Sequence, residues 1–482
     1  MRERGSVLLF LPLLLNATIQ NIHLSWSEDS TDSTMTVTWA TPDSCGSYVQ
    51  YGFTTNYGNE IQGEAYFSSC CNQYIHNVLI SSFEPDTLYH YRCGCPGEWS
   101  GDRTFRSGKM RGESLFNFIF YGDTRTDTIE RVVVRDAMIR HLDSIRFILH
   151  GGDIVEYGSA QWRWDIFFRQ MEPLISNCPM MPTIGNHDEY GSRQNYLDQF
   201  VLPQESGTEM FYSLDYGSMH IVSLYDPTPG SRIKPGDPQY FWLMNDLANA
   251  SINPDIDWKI IFFHVPPYSA GYGYLNQRND IVPICDSFDV DLVFCGHTHN
   301  YERTFLLYDS VIVDSGPDYN GDLNGTVYVV SGGGCAPLSD AHVDWWTAYS
   351  EEAYHFMLIS VGTDRIKVKV LGDDGVTHID EWSLTKSPEI DFPGGNEMRI
   401  LKVYPIPSTG SIIISGINPR RRGDEIMVIN SAGQKVRSLI VRGSSLIWDG
   451  RDENDHQVNP GVYFLILKDE NHIRREKIIV LN

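Results

Sequence analysis

The sequence predicts a multidomain protein in which a central α/β domain lies between two β-sandwiches. Period-two alternation at residues 34–39 and 74–80 is typical of antiparallel strands that bury one face. From about residue 114, apolar strands alternate with helical stretches, and after about residue 300 short strands return. The length of 482 residues supports this division, because a single core rarely grows beyond about 300 residues.

The first residues predict an export signal. Two arginines precede a short apolar run at residues 7–15, an order that is typical of signal peptides. The run is too short to cross a membrane as a helix. A buried first strand is the alternative interpretation, but Pro12 interrupts the run. We therefore expect residues 1–17 to be a signal peptide and the protein to be secreted.

The charge balance disfavours a nucleic-acid-binding function. Lys and Arg number 37 and Asp and Glu number 62, which leaves a net charge of −25 at pH 7. Such a chain repels a phosphate backbone, so we expect no nucleic-acid-binding surface. A metal site can still attract a small phosphate ester, because bound cations dominate the local field.

The nine cysteines agree with export. Five lie in the N-terminal part, and we expect them to form disulfides, because no histidine follows at the spacing of a zinc module. These five are Cys45, Cys70, Cys71, Cys93 and Cys95. Their pairing is left open. The others lie in apolar stretches and are expected to be buried thiols, namely Cys178, Cys285, Cys295 and Cys335.

The N-terminal β region has a recognisable segment at residues 83–92, which reads Phe-Glu-Pro-Asp-Thr-Leu-Tyr-His-Tyr-Arg. This segment resembles part of the fibronectin type III fold, and the resemblance in pattern covers most of residues 18–110. It implies a β-sandwich domain whose motif serves packing rather than chemistry.

The central region places a possible metal ligand at the end of several predicted strands. The strand at 115–121 leads into Asp123, and the strand at 145–150 leads into Asp153. Later apolar runs end at His264 and His297. Ligands gather at the carboxyl ends of strands in α/β sheets, so we expect these side chains to meet.

The predicted ligand set combines carboxylate, carboxamide and imidazole groups, which suit Fe, Zn or Mn. Its six members are Asp123, Asp153, Asn186, His264, His297 and His299. Such a mixed set is able to bind two divalent or trivalent ions. A pair of ions can clamp the attacking and leaving oxygens of a phosphoryl transfer. The loops at 226–238 and 268–279 are predicted to shape the substrate pocket.

These blocks resemble the ordered motifs of calcineurin-like metallophosphoesterases. The motifs are Gly122-Asp123, Gly152-Asp153, Gly185-Asn186-His187-Asp188, Phe263-His264 and Gly296-His297-Thr298-His299. The continuation through Asn300-Tyr301-Glu302-Arg303 and the fibronectin-like domain narrow the resemblance to the purple acid phosphatase-like branch, over roughly residues 20–385. It implies a metallophosphoesterase β-sandwich flanked by helices at residues 113–385.

The resemblance also implies how the ligands divide between two metal ions. Asp153 would bridge the ions. Asp123 and His299 would hold one ion, and the other would be held by Asn186, His264 and His297.

Substrate chemistry is implied by the same resemblance. His187, oriented by Asp188, would bind phosphate together with Asn186 and would protonate the leaving group. A metal-bound hydroxide would attack the phosphorus of a small phosphate monoester.

Two positions depart from the family pattern. Purple acid phosphatases carry a tyrosine ligand three residues after the second aspartate, where this chain has Glu156. Other branches carry a histidine two residues after the first aspartate, where this chain has Arg125. We predict that Glu156, or water, completes the first metal site and that Arg125 binds the phosphate. An ion pair between the two residues is the alternative.

A third departure concerns the loop after His264. Plant members carry paired histidines about ten residues later, where this chain has Gly273 and Tyr274. This difference assigns the acid role to His187 and leaves the preference for monoesters open.

The C-terminal region, residues 399–482, follows a predicted linker at 386–398 and predicts a second, immunoglobulin-like β-sandwich. Its motifs are Val-Tyr-Pro-Ile-Pro-Ser-Thr-Gly at 403–410, Gly-Gln-Lys-Val at 433–436, Trp-Asp-Gly-Arg-Asp at 448–452 and Gly-Val-Tyr-Phe at 461–464. They resemble the sorting domain of the type-nine secretion system of Bacteroidetes. The resemblance implies a bacterial, secreted or cell-surface protein that uses the outer-membrane secretion machinery. A passive spacer domain is the alternative.

Together these observations predict a secreted, binuclear-metal phosphoric ester hydrolase of the acid phosphatase type. A phosphodiesterase or nucleotide hydrolase is the alternative enzyme. A surface protein that binds metal without turnover is the alternative from another class. The complete set of six ligands favours the enzyme.

Overall fold

The computed structural model describes residues 19–126, 128–228, 233–272 and 274–386. In the C-terminal region it describes residues 402–404, 412–415, 425–430, 433–441, 446–468 and 473–480. The predicted signal peptide lies outside the described residues, as does the predicted linker apart from Lys386.

The N-terminal domain is a pair of antiparallel sheets. Its strands are β1 (Gln20–Ser25), β2 (Thr34–Thr41), β3 (Tyr48–Gly52), β4 (Asn59–Gln62), β5 (Glu64–Ser68), β6 (Gln73–Ser81), β7 (Leu88–Cys95), β8 (Glu98–Trp99) and β9 (Arg103–Arg106). One sheet has the order β1-β2-β6-β5, and the other has the order β4-β3-β7-β8 with β9 on β7. Trp39, Val49 and Phe105 are fully buried in the shared core. The β-sandwich predicted from the period-two pattern is confirmed.

The cysteines of this domain form one disulfide among the described residues, between Cys45 and Cys95. Cys70, Cys71 and Cys93 are free thiols, so the expectation that this group would be disulfide-bonded holds for a single pair. The four later cysteines are buried, as predicted.

Among its described residues between 113 and 386, the central domain contains two mixed sheets and five helices. Its elements are β10 (Phe116–Tyr121), α1 (Thr128–Ile139), β11 (Ile145–His150), α2 (Gln161–Ile175), β12 (Met180–Pro182), α3 (Gln194–Gln199), β13 (Tyr212–Tyr216), β14 (Met219–Ser223), α4 (Pro238–Ile252), β15 (Trp258–Phe263), α5 (Leu275–Phe288), β16 (Leu292–Cys295), β17 (Tyr301–Thr304), β18 (Leu306–Tyr308), β19 (Val311–Asp314), β20 (Asp318–Asn320), a 3₁₀ turn (Gly321–Leu323), β21 (Val327–Ser331), β22 (Thr347–Glu351), β23 (His355–Val361), β24 (Arg365–Gly372) and β25 (His378–Thr385).

The two sheets pack against each other through aromatic side chains. The first sheet has the order β12-β11-β10-β23-β24-β25-β20, and the second has the order β13-β14-β15-β16-β21-β17-β22. The ring of Phe120 in the first sheet lies 5.0 Å from Phe294 and 6.4 Å from Phe262 in the second. The opposite face of the second sheet is covered by α4 and α5, whose Leu243 and Ile284 are fully buried.

Both sheets contain a block of adjacent parallel strands, which lies at one edge of the first sheet and in the interior of the second. Strands β10, β11 and β12 are parallel in the first sheet, and β14, β15, β16 and β21 are parallel in the second. The carboxyl ends of β10, β11, β15 and β16 therefore point to a common rim.

Helix α1 is the first of the helical stretches expected after residue 114, and its buried face does not follow its apolar residues. Val134, Ala137 and Met138 are buried, whereas Ile129 is 70% exposed and Val133 is 40% exposed. Arg131 is buried instead, because its Nε donates to the carbonyl oxygen of Thr124 at 2.9 Å. That hydrogen bond rotates the helix toward the loop that follows β10.

The N-terminal domain docks on α2 through β1. The ring of His23 stacks on Phe168 with a centroid separation of 4.6 Å, and its Nε2 lies 2.8 Å from the carbonyl oxygen of Gln199. The hydroxyl of Tyr91 donates to the carbonyl oxygen of Ser176 at 2.6 Å. These buried polar contacts fix the two domains in one orientation.

The C-terminal region also forms a pair of antiparallel sheets among its described residues. Its strands are β26 (Lys402–Tyr404), β27 (Ile412–Ser415), β28 (Glu425–Asn430), β29 (Lys435–Ile440), β30 (Leu446–Trp448), β31 (Gly461–Lys468) and β32 (Ile473–Val480). They pair in the orders β26-β27-β30 and β29-β28-β31-β32 around the buried side chain of Trp448. Within the described part of the chain, no helix has the length and hydropathy needed to span a bilayer.

A buried ionic cluster stabilises the side of the central domain that faces the N-terminal domain. His220 on β14 lies 2.7 Å from a carboxylate oxygen of Asp215 and 2.9 Å from one of Asp246. Burial would lower the pKa of His220, but the two carboxylates outweigh it and raise this pKa to about 10. Asp29 of the N-terminal domain accepts the backbone N–H of Asp215 at 2.6 Å, which links the cluster to both domains.

We predict that His220→Asn lowers the free energy of unfolding by about 3–5 kcal/mol, because it leaves buried carboxylates without their cation. The folded-state pKa lies above the unfolded value of 6.5, so this contribution is complete below pH 6.5 and is lost as the pH rises through about 10. Urea unfolding of the wild type and the variant, below pH 6.5 and again near pH 10, measures this difference in stability. His378→Asn, which removes an exposed pair with Glu381, is the control and should change stability by less than about 0.5 kcal/mol. Equal effects of both variants would contradict the prediction.

Candidate metal centre

The sequence-predicted ligands meet where the parallel strands of both sheets end. Asp123 follows β10, Asp153 follows β11, His264 follows β15 and His297 follows β16. The backbone N–H of Asp123 donates to the carbonyl oxygen of Gly152 at 3.0 Å, which joins the first two loops. Ligand atoms of Asp123, Asp153 and His264 all lie within 4.8 Å of one another.

The loops approach each other so closely that glycine is required beside the ligands. A Cβ atom on Gly185 would lie 2.2 Å from Oδ1 of Asp153, and one on Gly296 would lie 2.4 Å from Oδ2 of Asp123. The ligands Asp123, Asp153 and His297 adopt left-handed φ values of 61°, 54° and 70°. Such conformations are unfavourable for non-glycine residues and are typical of functional sites.

Three ligand atoms form a compact triangle. Oδ1 of Asn186 lies 3.1 Å from Nε2 of His264 and 3.0 Å from Nδ1 of His297, and the two nitrogens are 3.1 Å apart. Ligands about 2.1 Å from one ion and at right angles to each other are separated by about 3 Å. The triangle therefore fits one face of a metal coordination shell.

The tautomer of His264 supports this interpretation. Its Nδ1 lies 2.8 Å from the carbonyl oxygen of Gly151, an acceptor, so Nδ1 carries the proton and Nε2 carries a lone pair. This lone pair faces the amide oxygen of Asn186, which is also an acceptor. A cation between the two atoms would make the contact favourable.

Asp153 lies between the triangle and the remaining ligands. Its Oδ1 is 3.4 Å from Nε2 of His264 and accepts the backbone N–H of His187 at 2.9 Å. Its Oδ2 is 3.4 Å from Nε of Arg125. Burial, together with the charge of Asp123, raises the pKa of Asp153, so bound cations would stabilise its ionised form.

Asp123 and His299 form a second group of donors. Oδ2 of Asp123 accepts the backbone N–H of His297 at 2.9 Å, whereas its buried Oδ1 has no hydrogen-bond partner within the described residues. Nε2 of His299 lies 3.5 Å from that Oδ1, and Nδ1 of His299 lies 2.7 Å from the carbonyl oxygen of Pro337. Both the unpartnered oxygen and the imidazole nitrogen are suitable cation ligands.

The electrostatics of His297 agree with ligand chemistry. Burial and the neighbouring His264 lower the pKa of His297 to about 3, so its imidazole is neutral at ordinary pH. Neutral imidazole is the form that binds a metal ion. Carboxylate, carboxamide and neutral imidazole together fit divalent cations.

His187 is held by a backbone carbonyl. Its Nδ1 lies 2.9 Å from the carbonyl oxygen of Glu156, and its Nε2 points toward the centre, 4.0 Å from Oδ2 of Asp153. Asp188 was expected to orient this ring, but its carboxylate accepts the backbone N–H groups of Ile154, Val155 and Gly185 at 2.9–3.0 Å. Asp188 thus fastens the Asp153 loop to the Asn186 loop and does not hold the imidazole.

Arg125 and Glu156 form the ion pair that the sequence analysis named as the alternative. Nη1 of Arg125 and the hydroxyl of Thr126 donate to Oε2 of Glu156. Burial would raise the pKa of Glu156, but these donors and the charge of Arg125 lower it. The guanidinium lies between Glu156 and Asp153, and its buried Nε has no hydrogen-bond partner in the described chain.

A cavity of about 450 Å³ opens beside the triangle. Its lining residues are Asn186, Glu189, Tyr190, Gly191, Thr228 and His297. Thr228 belongs to the first loop that was predicted to shape the pocket. Tyr274 of the second loop lies 5.5 Å from the ring of His297. The sequence analysis missed Glu189 and Tyr190, although both directly follow the Asn186 motif.

The residues that follow His299 support the centre from outside. The carboxylate of Glu302 is 1% exposed and accepts the backbone N–H of Ala270 at 2.8 Å and the indole N–H of Trp346 at 3.0 Å. Arg303 donates from Nε to the carboxylate of Asp380 at 2.8 Å. These contacts fix the loop after β15 and anchor β17, so their role is structural.

Comparison with known families agrees with this geometry. Residues 116–301 match the calcineurin-like phosphoesterase family, and residues 19–107 match the N-terminal domain of purple acid phosphatases. Residues 402–481 match the secretion system C-terminal sorting domain.

The relatives of moderate similarity include three plant proteins. Purple acid phosphatase 21 of Arabidopsis thaliana is 30% identical over 62% of this chain and 70% of its own length. Purple acid phosphatase 18 of the same plant is 30% identical over 59% of this chain and 66% of its own length. The match to "Probable inactive purple acid phosphatase 1", also from Arabidopsis thaliana, is 28% identical over 60% of this chain and spans about half, 53%, of that protein.

Among solved structures, purple acid phosphatase PPD1 from yellow lupin superposes with a TM-score of 0.68. The two share 21% identity, and the match covers 77% of this chain and 75% of the lupin chain. This similarity supports the fold.

Proposed function

Because the chain belongs to the purple acid phosphatase family, we propose that it hydrolyses small phosphate monoesters at a centre of two metal ions. The proposal rests on the close approach of several buried acceptor atoms to one another. Nε2 of His264 faces Oδ1 of Asn186 at 3.1 Å, and Oδ1 of Asp123 has no hydrogen-bond partner in the described chain.

The division of ligands follows the two groups of donors. Asn186, His264 and His297 would hold one ion, Asp123 and His299 would hold the other, and Asp153 between them would bridge the pair. Fe, Zn or Mn suits these ligands. When bound, such ions activate water as a nucleophile and neutralise the charge of a phosphoryl group.

His187 is the proposed general acid. The Glu156 carbonyl holds its Nδ1, so Nε2 is directed toward the centre and can donate a proton to the leaving oxygen. Its side chain is 22% exposed, which allows the ring to exchange protons with solvent. Asp188 is proposed to act as a positioning residue, because it fixes the loop that carries His187.

Arg125 is the proposed phosphate-binding residue. Its guanidinium reaches the centre, where Nε lies 3.4 Å from Oδ2 of Asp153 without a hydrogen bond in the described chain, and a planar fork of donors suits a phosphate. Glu156 is proposed to position this guanidinium through the ion pair, which leaves water to complete the shell of the ion beside Asp123.

The cavity beside the triangle supports an ester with a sizeable leaving group. Its volume of about 450 Å³ lies within the range of pockets for small organic ligands. Tyr190 in its wall is 60% exposed and offers a ring for stacking. A nucleotide would also fit this space, so the nucleotide hydrolase is the second candidate.

The sorting domain supports a proposal about location. We propose that the protein is exported, that residues 1–17 direct it across the inner membrane, and that residues 399–482 engage the type-nine secretion machinery. The protein would act on phosphate esters outside the cell or at its surface.

The first test measures metal content and turnover together. We expect about two metal ions per chain whose binding depends on Asp153, and hydrolysis of an aryl phosphate monoester in preference to a diester. Asp153→Asn should lower both metal affinity and kcat/KM at least about a hundredfold, because it removes the bridging charge. The control is Asp136→Asn, at an exposed position on α1, which should change neither metal affinity nor kcat/KM.

Other outcomes separate the alternatives. Bound metal without turnover of either ester would overturn the enzyme proposal in favour of a binding protein. Turnover of the diester or of a nucleotide in preference to the monoester would overturn the proposed substrate.

The second test addresses Arg125 and Glu156. We predict that Arg125→Ala raises KM at least about tenfold with metal content unchanged, because a charge-assisted contact to phosphate is lost. Glu156→Gln should also retain both ions and raise KM to a smaller extent, because the guanidinium is held less firmly. Metal analysis and steady-state kinetics check both variants, with Arg140→Ala as an exposed control. Loss of one ion in Glu156→Gln would show instead that Glu156 is a ligand.

The third test concerns export. A chain that ends at residue 398 should fold and hydrolyse the ester but remain inside a host with type-nine secretion, because the sorting domain is missing. Cell fractionation with an activity assay measures the distribution. Export of the truncated chain at the level of the full chain would contradict the proposal.

A further inference from the structure

A second group of metal-ligating side chains lies between the N-terminal domain and α3. Cys70 and Cys71 occupy the turn between β5 and β6, and Asp198 lies in α3. Sγ of Cys70 is 3.2 Å from Oδ2 of Asp198, and the two sulfur atoms are 3.7 Å apart. Ligand atoms from all three residues lie within 4.8 Å of one another.

The distances agree with a tetrahedral zinc site. A Zn–S bond of about 2.3 Å at tetrahedral angles separates two sulfur ligands by about 3.8 Å. With a Zn–O bond of about 2.0 Å, a sulfur and an oxygen ligand are separated by about 3.5 Å. The sulfur atoms are also well beyond the 2.05 Å of a disulfide bond, so both thiols are free to bind.

We propose that Cys70, Cys71 and Asp198 bind a Zn²⁺ ion that joins the N-terminal domain to the central domain. The hydroxyl of Ser68 donates to Oδ2 of Asp198 at 2.5 Å and lies 3.2 Å from Sγ of Cys70, so Ser68 orients the carboxylate and a water supplies the fourth ligand. Each thiol releases its proton when the ion binds, and the two thiolates and the carboxylate leave the site with one net negative charge.

The chemistry of this group differs from that of the centre at the strand ends. The strand-end ligands are oxygen and nitrogen atoms, whereas this group offers two sulfur atoms. Thiolates select zinc and other thiophilic ions over Mg²⁺ or Mn²⁺. The two sites therefore need not compete for the same ion.

The surroundings favour an ion at this position. Cys71 is 3% exposed and packs against Ala40 and Ile75, whereas Cys70 is half-buried and gives access from solvent. Asn195 at the start of α3 is buried, and its Nδ2 lies 4.0 Å from Sγ of Cys71, so its N–H group is placed to stabilise a thiolate there.

The position of α3 gives the ion a structural role. Helix α3 begins three residues after Gly191, which with Glu189 and Tyr190 lines the cavity beside the metal centre. An ion at Asp198 would fasten α3 to the β5–β6 turn. It would thereby restrict the loop that carries the cavity wall.

X-ray absorption at the zinc edge tests the proposal on the full chain, purified with reductant and zinc. The strand-end centre contributes only nitrogen and oxygen neighbours, so a sulfur shell at about 2.3 Å reports this group alone. We expect the wild type to show that shell. Cys70→Ser and Cys71→Ser should each abolish or halve it, and should lower zinc content by about one ion per chain.

Two further variants control the experiment. Cys93→Ser removes another free, buried thiol of the same domain and should leave the sulfur shell intact. Asp198→Asn preserves side-chain size and both thiols, and should weaken zinc affinity at this site at least about tenfold. If a cysteine variant fails to fold, the Asp198→Asn variant tests the proposal in its place.

Several results would overturn the proposal. One is a wild-type zinc shell that contains nitrogen and oxygen alone. Another is a sulfur shell that survives the double replacement of Cys70 and Cys71 by serine. A third is a Cys70–Cys71 disulfide, detected by mass spectrometry after alkylation of chain purified with zinc. Activity of the strand-end centre has no influence on any of these readouts.

Discussion

Lone pairs that converge inside a protein repel one another unless positive charge or N–H dipoles lie between them. The rim of the two sheets collects such atoms from Asp123, Asp153, Asn186 and His264, all of them buried or nearly so. Part of the compensation is visible, because the backbone N–H groups of His187 and His297 each donate to a carboxylate. Bound cations would supply the remainder.

Two carboxylates that bind no metal keep the loops in place. Asp188 accepts three backbone N–H groups from the loops after β11 and β12, and Glu302 joins the loop after β15 to Trp346. Each is buried, so each satisfies several donors that would otherwise be unpaired. The left-handed conformations at Asp123 and Asp153 persist because these contacts determine the loop path from several directions.

The sequence predicted the parts of the structure that local pattern controls. The strand at 145–150 has the predicted bounds, and the ligands after β10, β11, β15 and β16 meet because parallel strands end at one rim. The apolar pattern of α1 was less informative. Ile129 is exposed and Arg131 is buried, because a carbonyl on a neighbouring loop binds the guanidinium.

Local sequence patterns do not predict which side chains on distant loops contact each other. The sequence named an Arg125–Glu156 pair only as an alternative, and the contact depends on how the loops after β10 and β11 face each other. Asp188 contacts backbone rather than the imidazole beside it in sequence. Cys70 and Asp198 lie 128 residues apart in the chain, and only the docking of the N-terminal domain brings them together.

The disulfide between Cys45 and Cys95 encloses the turns and strands from β3 to β7, a segment with a sequence separation of 50 residues. A protease that cleaves one peptide bond inside this segment would leave the two fragments covalently joined. The strands on both sides of the cut would remain hydrogen-bonded in their sheets, and β1 would remain docked on α2. The N-terminal domain would therefore withstand a single cut, which would suit an exported protein.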